Sequence, residues 1–351
     1  MIPFDRAGRR LYGLPMRVLG ILTVKDEASF LLEWLAHHRA AGFTDFLVFS
    51  NDCSDGTDAM LDRLQDMGWL THIRNHDHAG GPNKGPQWAA LKAAEGHALT
   101  RAADWIMVLD VDEFVNIHAG DRTVGALLAA LPQASAITLT WRMFGNGGIV
   151  GLPAVPVTET FTRAAGDPVD WPWRAVMYKT LFRSDDKPKL GVHRPKGDFA
   201  WFDSAGRALA GGPQRIFSAL GAVNHSLAQL NHYALGSMEG YLVKAARGRA
   251  NRDASAFDLG YWVERNLNHV EDRSILSLPS APLRQALLAD PVLGPLHEAG
   301  QAWRKARFAA LMQDEPWRAL FGRLLMAAPS RALTAAQARL VWSHGVPKGQ
   351  S

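Results

Sequence analysis

The feature that most constrains the fold of this chain is an alternation of short apolar runs with amphipathic stretches along its N-terminal third. The apolar runs are rich in β-branched or aromatic residues and occur at Val18 to Val24, Phe46 to Ser50, Trp69 to Arg74 and Trp105 to Leu109. Apolar residues recur at helical spacing between them, over Ala28 to Ala41, Asp58 to Met67 and Gln87 to Ala103. Strands that alternate with helices in this way predict an α/β fold, a mostly parallel sheet flanked by helices.

The pattern changes after Leu131-Pro132. One more strand is predicted at Ala136 to Met143, and the chain becomes mostly helical from Met238. We therefore expect an N-terminal tail (1–15), an α/β domain (16–235, in halves 16–115 and 116–235) and a helical C-terminal region (236–351). Pro282 to Trp342 is amphipathic and rich in arginine, which favours a helical cap on the sheet domain and leaves an oligomer contact or a membrane-surface helix open.

Composition limits the classes of partner. Apolar residues make up 47% and charged residues 21% of the 351, as in ordinary globular proteins, and the net charge of +4 suits an anionic ligand. The sequence has no concentrated stripe of basic residues, so it gives no indication of nucleic-acid binding. A single cysteine, Cys53, excludes an internal disulfide and fits a reducing compartment. Met1 to Pro15 does not resemble a signal peptide. We expect a cytoplasmic protein, with peripheral contact at the inner membrane as an option for the C-terminal helices.

Polar side chains follow three of the predicted strands. Lys25-Asp26-Glu27 follows the first, Asn51 to Thr57 the second, and Asp110-Val111-Asp112-Glu113 the fourth. Ligands of such sheets bind beyond the carboxyl ends of the strands, so we expect the three clusters to converge.

Asp110 and Asp112 form a D-x-D directly after a buried strand. Two carboxylates on one short loop suit Mg²⁺ or Mn²⁺, which takes its further oxygen ligands from water or a diphosphate. The alternative is an ordinary solvated turn. In the second cluster, helix capping by Asp55 or Thr57 explains part of the pattern. Asn51 and Asp52 could instead hydrogen-bond a ribose or a base edge.

Together these segments resemble glycosyltransferases of family 2, and more narrowly the branch that overlaps family 92. The resemblance rests on V-K-D-E-A, E-W-L-A-H-H, N-D-C-S-D-G-T, Gln87 and W-I-M-V-L-D-V-D-E-F. It covers about the first 115 residues and continues weakly through Lys179, His193-Arg194-Pro195 and Asn231 to Gly248. The last of these segments matches N-H-Y-x-x-x-S-x-E-x-[FY]-x-x-K-x-x-R-G.

The resemblance implies a GT-A (Rossmann-like) fold and a metal-dependent glycosyltransferase with Mn²⁺ or Mg²⁺. Its donor would be a nucleotide sugar, usually carrying UDP, and its acceptor a saccharide or a lipid-linked molecule. It places the donor in 16–115 and the acceptor in 116–235. By position, metal binding falls to Asp110 and Asp112, and donor binding to Asp26, Glu27, Asn51, Asp52, Gln87 and Lys179. The sequence departs from the family where K-N-E is Lys25-Asp26-Glu27 and where S-x-D-G-T is shortened.

Two roles stay open between candidates. A late histidine commonly completes the metal shell of GT-A enzymes, and His193 is favoured slightly over His232. A catalytic base would be Asp170, which lies among tryptophans, or Glu113, which could equally support the metal loop.

Two other hypotheses compete with a transferase. A nucleotidyltransferase needs a Gly-rich loop after the first strand, where this chain has Lys25-Asp26-Glu27. A non-catalytic nucleotide-sugar-binding protein would not need both Asp110 and Asp112. A dehydrogenase is disfavoured because no G-x-G-x-x-G follows the first strand.

Overall fold

The computed structural model describes residues 16–75, 85–154, 156–184, 189–248 and 258–345. The expected N-terminal tail lies outside these ranges. The strands are β1 Val18–Val24, β2 Asp45–Ser50, β3 Thr71–Arg74, β4 Trp105–Leu109, β5 Glu113–Ile117, β6 Ala136–Met143, β7 Arg163–Ala164, β8 Tyr178–Arg183, β9 Trp201–Asp203, β10 Ala228–His232 and β11 Val270–Glu271. The helices are α1 Ala28–Ala40, α2 Thr57–Asp66, α3 Pro86–Glu95, α4 Ala98–Ala102, α5 Val124–Ala130, α6 Val157–Thr160, α7 Met238–Arg247, α8 Leu259–Val263, α9 Ala281–Leu288, α10 Leu293–Leu311, α11 Glu315–Met326 and α12 Ala335–Gly345.

One large sheet organises the molecule, in the strand order β3-β2-β1-β4-β8-β6-β10-β5, with β9 beside β6. The first four strands are parallel, as the alternating pattern predicts, whereas β8 runs antiparallel between β4 and β6. At the far edge β5 pairs antiparallel with β10. The predicted α/β class, with a mostly parallel sheet flanked by helices and a helical C-terminal region, is therefore confirmed.

Three local predictions need correction. The stretch from Gln87 to Ala103 forms two helices, because the chain turns at Gly96 and the ring of His97 accepts the Leu99 N–H at 3.2 Å at the start of α4. The third strand begins at Thr71 rather than Trp69. The sequence did not predict β5, which starts one residue after Asp112.

The C-terminal helices pack on the sheet domain. Helices α9 and α10 contact α1, and α10 also contacts α2 and α7. Between α2 and the turn before α10, the guanidinium of Arg63 forms an ion pair with Asp290 at 2.6 Å. This arrangement is the helical cap that the sequence favours. Among the described residues, no helix has the length and apolar character needed to cross a bilayer.

Helix α1 is attached to β5 by two buried histidines. The ring Nε2 of His37 lies 2.7 Å from the Val115 carbonyl oxygen. The Nδ1 of His38 lies 2.9 Å from the Trp34 carbonyl oxygen, and its Nε2 accepts the Val115 N–H at 3.3 Å. The bond that His38 Nε2 accepts needs a neutral ring, and burial lowers the pKa of both histidines, that of His37 to about 4.

We expect His37 and His38 to lower the free energy of unfolding as the pH drops from 6.5 towards 4, while the raised pKa values of the buried Glu27 and Glu113 act in the opposite direction. Because the pKa values of both histidines are depressed in the folded chain, the unfolded chain binds more protons at these two residues in this window. At 1.36 kcal/mol per pKa unit, His37 alone accounts for about 2 to 3 kcal/mol by pH 4.5. Urea unfolding at pH 7 and 4.5 measures this loss. His37→Gln, which can still donate to Val115, should lose less; an equal loss in both proteins contradicts the assignment.

Candidate active site

The loops after β1 and β2 are tied to each other. Two residues beyond the end of each strand the backbone is left-handed, at Asp26 with φ 51° and at Asp52 with φ 45°. The Oδ1 of Asp26 accepts the backbone N–H of Ser54 at 2.6 Å and its hydroxyl at 3.0 Å. A non-glycine residue in this conformation is held there by its surroundings, and such residues cluster at functional sites.

The polar turn after β2 also holds the start of α1. Asp55 accepts the N–H of Ala28 at 2.8 Å, and the Thr57 hydroxyl accepts the N–H of Glu27 at 2.8 Å. Gly56, with φ 94°, occupies the N-cap position of α2, and the predicted capping by Asp55 is seen in part, because its Oδ1 accepts the N–H of Thr57 at 3.0 Å. Asp55 and Thr57 also join the first two strand-end loops to each other.

Asp110 and Asp112 lie on the tight turn from β4 into β5, and Glu113 fixes that turn from inside. The Glu113 carboxylate is fully buried and accepts the Asp110 N–H at 2.9 Å and the Trp141 indole N–H at 2.7 Å. Burial raises its pKa, against the opposing effect of Lys179. Glu113 is thus the first residue of β5 rather than a loop residue. Its contacts favour the alternative that it supports the loop; its role as a base stays a prediction.

Each aspartate of the D-x-D faces a lysine from a distant part of the chain. The Nζ of Lys179, a fully buried residue of β8, lies 2.9 Å from Asp110 Oδ2 and 3.4 Å from Glu113 Oε2. The Nζ of Lys244, on α7, lies 2.5 Å from Asp112 Oδ2 and 2.7 Å from the Ala234 carbonyl oxygen. Burial alone would raise the pKa of Asp112, but Lys244 and His232 hold it well below its usual range.

The two candidate histidines flank the ring of Trp141. The ring centroid of His232 lies 4.2 Å from that of Trp141, and the centroid of His193 lies 5.8 Å away. His232 Nε2 is 3.5 Å from Asp112 Oδ2, and its buried Nδ1 has no hydrogen-bond partner in the described part of the chain. His193 bonds the Tyr178 carbonyl oxygen, and burial lowers its pKa to about 4. Both rings are near the aspartates, with His232 in direct contact.

The donor types of this cluster suit a divalent cation. Mg²⁺ in nucleotide sites is typically held by one or two carboxylates and completed by phosphate oxygens and water, and Mn²⁺ also accepts an imidazole. Within the described ranges, no group of three or more His, Cys, Asp or Glu side chains is already arranged around one point. Metal binding by Asp110 and Asp112 therefore stays a prediction; it would need further ligands from water or a diphosphate, and it would compete with the two lysines for their carboxylates.

The other predicted donor residues lie at the same edge but have protein partners. Asn51 is buried, and its Oδ1 accepts the Asn75 amide at 2.7 Å. Glu27 forms an ion pair with Arg247 at 2.5 Å. Gln87 donates to Asp110 Oδ1 at 3.2 Å. Asp52 is exposed. The structure thus brings Gln87 into contact with Asp110 and places Glu27 at a cavity that Asp112 also lines. Asn51 and Asp52 follow β2, which is separated from β4 by β1, and the contacts of all four residues to a nucleoside stay predictions.

Asp170 lies apart from these contacts, in a loop where its Oδ1 approaches Gly221. The tryptophans around it pack within the protein. Trp171 meets Trp342 of α12 with ring centroids 5.6 Å apart, and Trp173 meets Phe217 at 5.3 Å. No contact joins Asp170 to the D-x-D among the described residues, so its role as a base also remains a prediction.

The K-x-x-R-G part of the matched C-terminal motif contains Lys244 and Arg247, and the sequence alone assigns no role to either residue. Besides its ion pair with Glu27, Arg247 donates to the Asp26 carbonyl oxygen at 3.2 Å. Helix α7 therefore fastens the loop after β1 and the D-x-D at once. The available signal was the K-x-x-R-G spacing, which places both cations on one face of a helix.

The sequence profile of glycosyltransferase family 92 matches residues 20–196, half of the chain. The chain belongs to glycosyltransferase family 92. This assignment supports the narrower of the two family resemblances, and family 2 is not confirmed. The matched segment carries β1 to β8, the D-x-D and Lys179. The strand order of this family 92 chain is consistent with the GT-A type.

Similar proteins agree with the family. A family 92 protein of Ricinus communis is 24% identical over 148 residues, 40% of this chain and 25% of its own length. One of Oryza sativa subsp. japonica is 22% identical over 142 residues, 40% of this chain and 23% of its own. The chain thus spans about a quarter of the length of the curated relatives it matches.

Two solved structures also show similarity. S. aureus TarS 1–349 is 12% identical, with 86% of this chain and 92% of TarS covered and a TM-score of 0.31. A thymidylyltransferase from Bacillus anthracis is 14% identical, with 47% and 71% covered and a TM-score of 0.25. Scores this low support no conclusion about ligands.

Proposed function

We propose that this chain is a metal-dependent glycosyltransferase that moves a sugar from a nucleotide-sugar donor, UDP-linked, to a saccharide or lipid-linked acceptor. One observation carries the proposal. Asp110 and Asp112 lie at the carboxyl end of β4, next to the ends of β1 and β2, and each is held by a lysine from elsewhere in the chain. Two fixed carboxylates would hold a divalent cation, and that cation together with the nearby lysines would balance the negative charge of the leaving diphosphate.

Each residue of this site would have a separate role. Asp110 and Asp112 would hold Mn²⁺ or Mg²⁺, which offsets the charge of the departing diphosphate. Glu113 and Lys179 keep Asp110 in position from the buried side. Lys244 carries a positive charge at Asp112 on the more exposed side, with 19% of its side chain accessible, and it can turn towards a phosphate when a cation takes its place. The geometry does not identify a base that would deprotonate the acceptor hydroxyl.

The alternatives predict different products. A nucleotidyltransferase would release pyrophosphate from a nucleoside triphosphate, and a non-catalytic binding protein would leave a nucleotide sugar intact. Membrane contact is proposed for the C-terminal helices, which expose Met326 at 87% and Leu340 at 64%.

We expect UDP with Mn²⁺ to raise the midpoint of thermal unfolding of the native protein by several degrees, because a ligand that binds only the folded state stabilises it. Asp112→Ala should remove the part of the shift that depends on Mn²⁺. Differential scanning fluorimetry with UDP, ADP and GDP, each with and without Mn²⁺, measures both effects. If UDP and Mn²⁺ together leave the native midpoint unchanged, the proposal fails.

A further inference from the structure

A cavity of about 100 Å³ lies behind Asp112, between α1, α7 and the C-terminal helices. Its wall is mainly apolar, with Phe30 and Val243 among the lining residues, and Asp112 stands at one side. One lining polar atom, Ser29 Oγ, is buried without a hydrogen-bond partner in the described part of the chain. A buried hydroxyl without a partner in a cavity wall points to a polar ligand group.

The acidic groups of this cavity are already satisfied. Asp112 faces Lys244, and Glu27 faces Arg247. Glu33 accepts the N–H groups of Val157 and Thr158 at 2.7 and 3.0 Å, and Asp26 accepts from Ser54.

Four carboxylates and four cations line the cavity, but two of the cations, Arg304 and Arg284, have no carboxylate within hydrogen-bond distance among the described residues. Arg304, on α10, makes no hydrogen bond or ion pair with the described residues; its guanidinium carbon lies 4.4 Å from the centroid of the Phe30 ring. Burial lowers its pKa to about 10. Arg284 is only loosely paired, 3.9 Å from Glu159. The guanidinium of Arg304 lies close to Gly240, where an added Cβ would be 2.8 Å from Nη2 and would make this side chain shift.

We propose that this cavity binds an anionic acceptor, one that carries a phosphate or carboxylate on a small, partly apolar body. Arg304 takes the anion in its planar fork of donors, and the Phe30 side of the cavity takes the apolar part. The free hydroxyl end then faces Asp112 and the donor diphosphate. The acceptor assignment rests on the proposed transferase function, whereas binding of the anion does not.

Butyl phosphate, pentanoate and neutral 1-butanol serve as probes, with affinities measured by isothermal titration calorimetry on the full chain saturated with UDP and Mn²⁺. At least one of the two anions should bind, and 1-butanol should bind at least about tenfold more weakly. Arg304→Met should weaken anion binding at least about tenfold, and Arg304→Lys should restore part of it. Lys305→Met, an exposed neighbour on α10, should change nothing.

Equal binding of butyl phosphate and pentanoate by the native protein and Arg304→Met would overturn the proposal. So would 1-butanol binding as tightly as the anions, or anion binding to the UDP-free protein that is lost when the protein is saturated with UDP and Mn²⁺, which would place the anion in the donor site. If neither anion binds, the cavity is not an anion site. A missing thermal shift with UDP and Mn²⁺, alongside Arg304-dependent anion binding without UDP, would instead reject the transferase and leave the anion site standing.

Discussion

Replacing Asp112 by Asn is expected to lower the rate of sugar transfer by a factor of roughly 10² to 10³, the usual effect of removing one preorganised electrostatic group. The amide keeps the volume of the carboxylate but not its charge. It can neither balance Lys244 nor hold a cation strongly. The fold should survive, because Asp112 lies on a turn at the sheet edge and 21% of its side chain is exposed. Consumption of the nucleotide sugar at saturating Mn²⁺ measures the effect.

The matched control is Asp121→Asn. Asp121 is an exposed aspartate, and its carboxylate bonds the Thr123 hydroxyl at 2.6 Å, ahead of α5. Its loss should leave the transfer rate within about twofold of native, as for surface substitutions. If Asp112→Asn also stays within that range, the D-x-D is a structural turn and the proposed mechanism is wrong.

The parallel half of the sheet could be predicted because its signals are local. The strands β1, β2 and β4 are apolar runs, and the helices between them repeat every 3.6 residues, so each segment carries its own evidence. The polar residues at the strand ends followed from the rule for open α/β sheets. The placement of these polar residues at the same edge of the sheet as Asp110 could be predicted without knowledge of the rest of the chain.

The partners of the aspartates could not be predicted in the same way. Lys179 and Lys244 are 69 and 132 residues away along the chain from the carboxylates that they contact. No periodicity reports such a pairing. A fully buried lysine such as Lys179 also contradicts the usual exposure of its residue type, so no local signal predicts its burial against Asp110. The strand β5 was missed for a related reason, since Glu113 and Asn116 are polar residues buried in it.

Replacing Glu113 by Ala should lower the free energy of unfolding by about 3 to 5 kcal/mol, the range for removing one partner of a buried ion pair. The change leaves the N–H groups of Asp110 and Trp141 without acceptors, and it removes one of the two carboxylates near the buried Lys179. Urea unfolding at pH 7 measures the loss. As a control, Glu159→Ala removes a half-exposed carboxylate 3.9 Å from Arg284 and should cost less than about 1 kcal/mol.

The companion variant Glu113→Gln separates the two roles that the sequence left open for this residue. Glutamine keeps the shape and one of the two oxygen acceptors, so it should cost only about 1 to 2 kcal/mol of stability. If Glu113 supports the D-x-D turn, the rate of sugar transfer should fall by about tenfold or less, because the substitution only disturbs the position of Asp110. A loss of three or more orders of magnitude in kcat, with stability unchanged, would instead make Glu113 the base that takes the proton from the acceptor hydroxyl, because an amide cannot accept that proton.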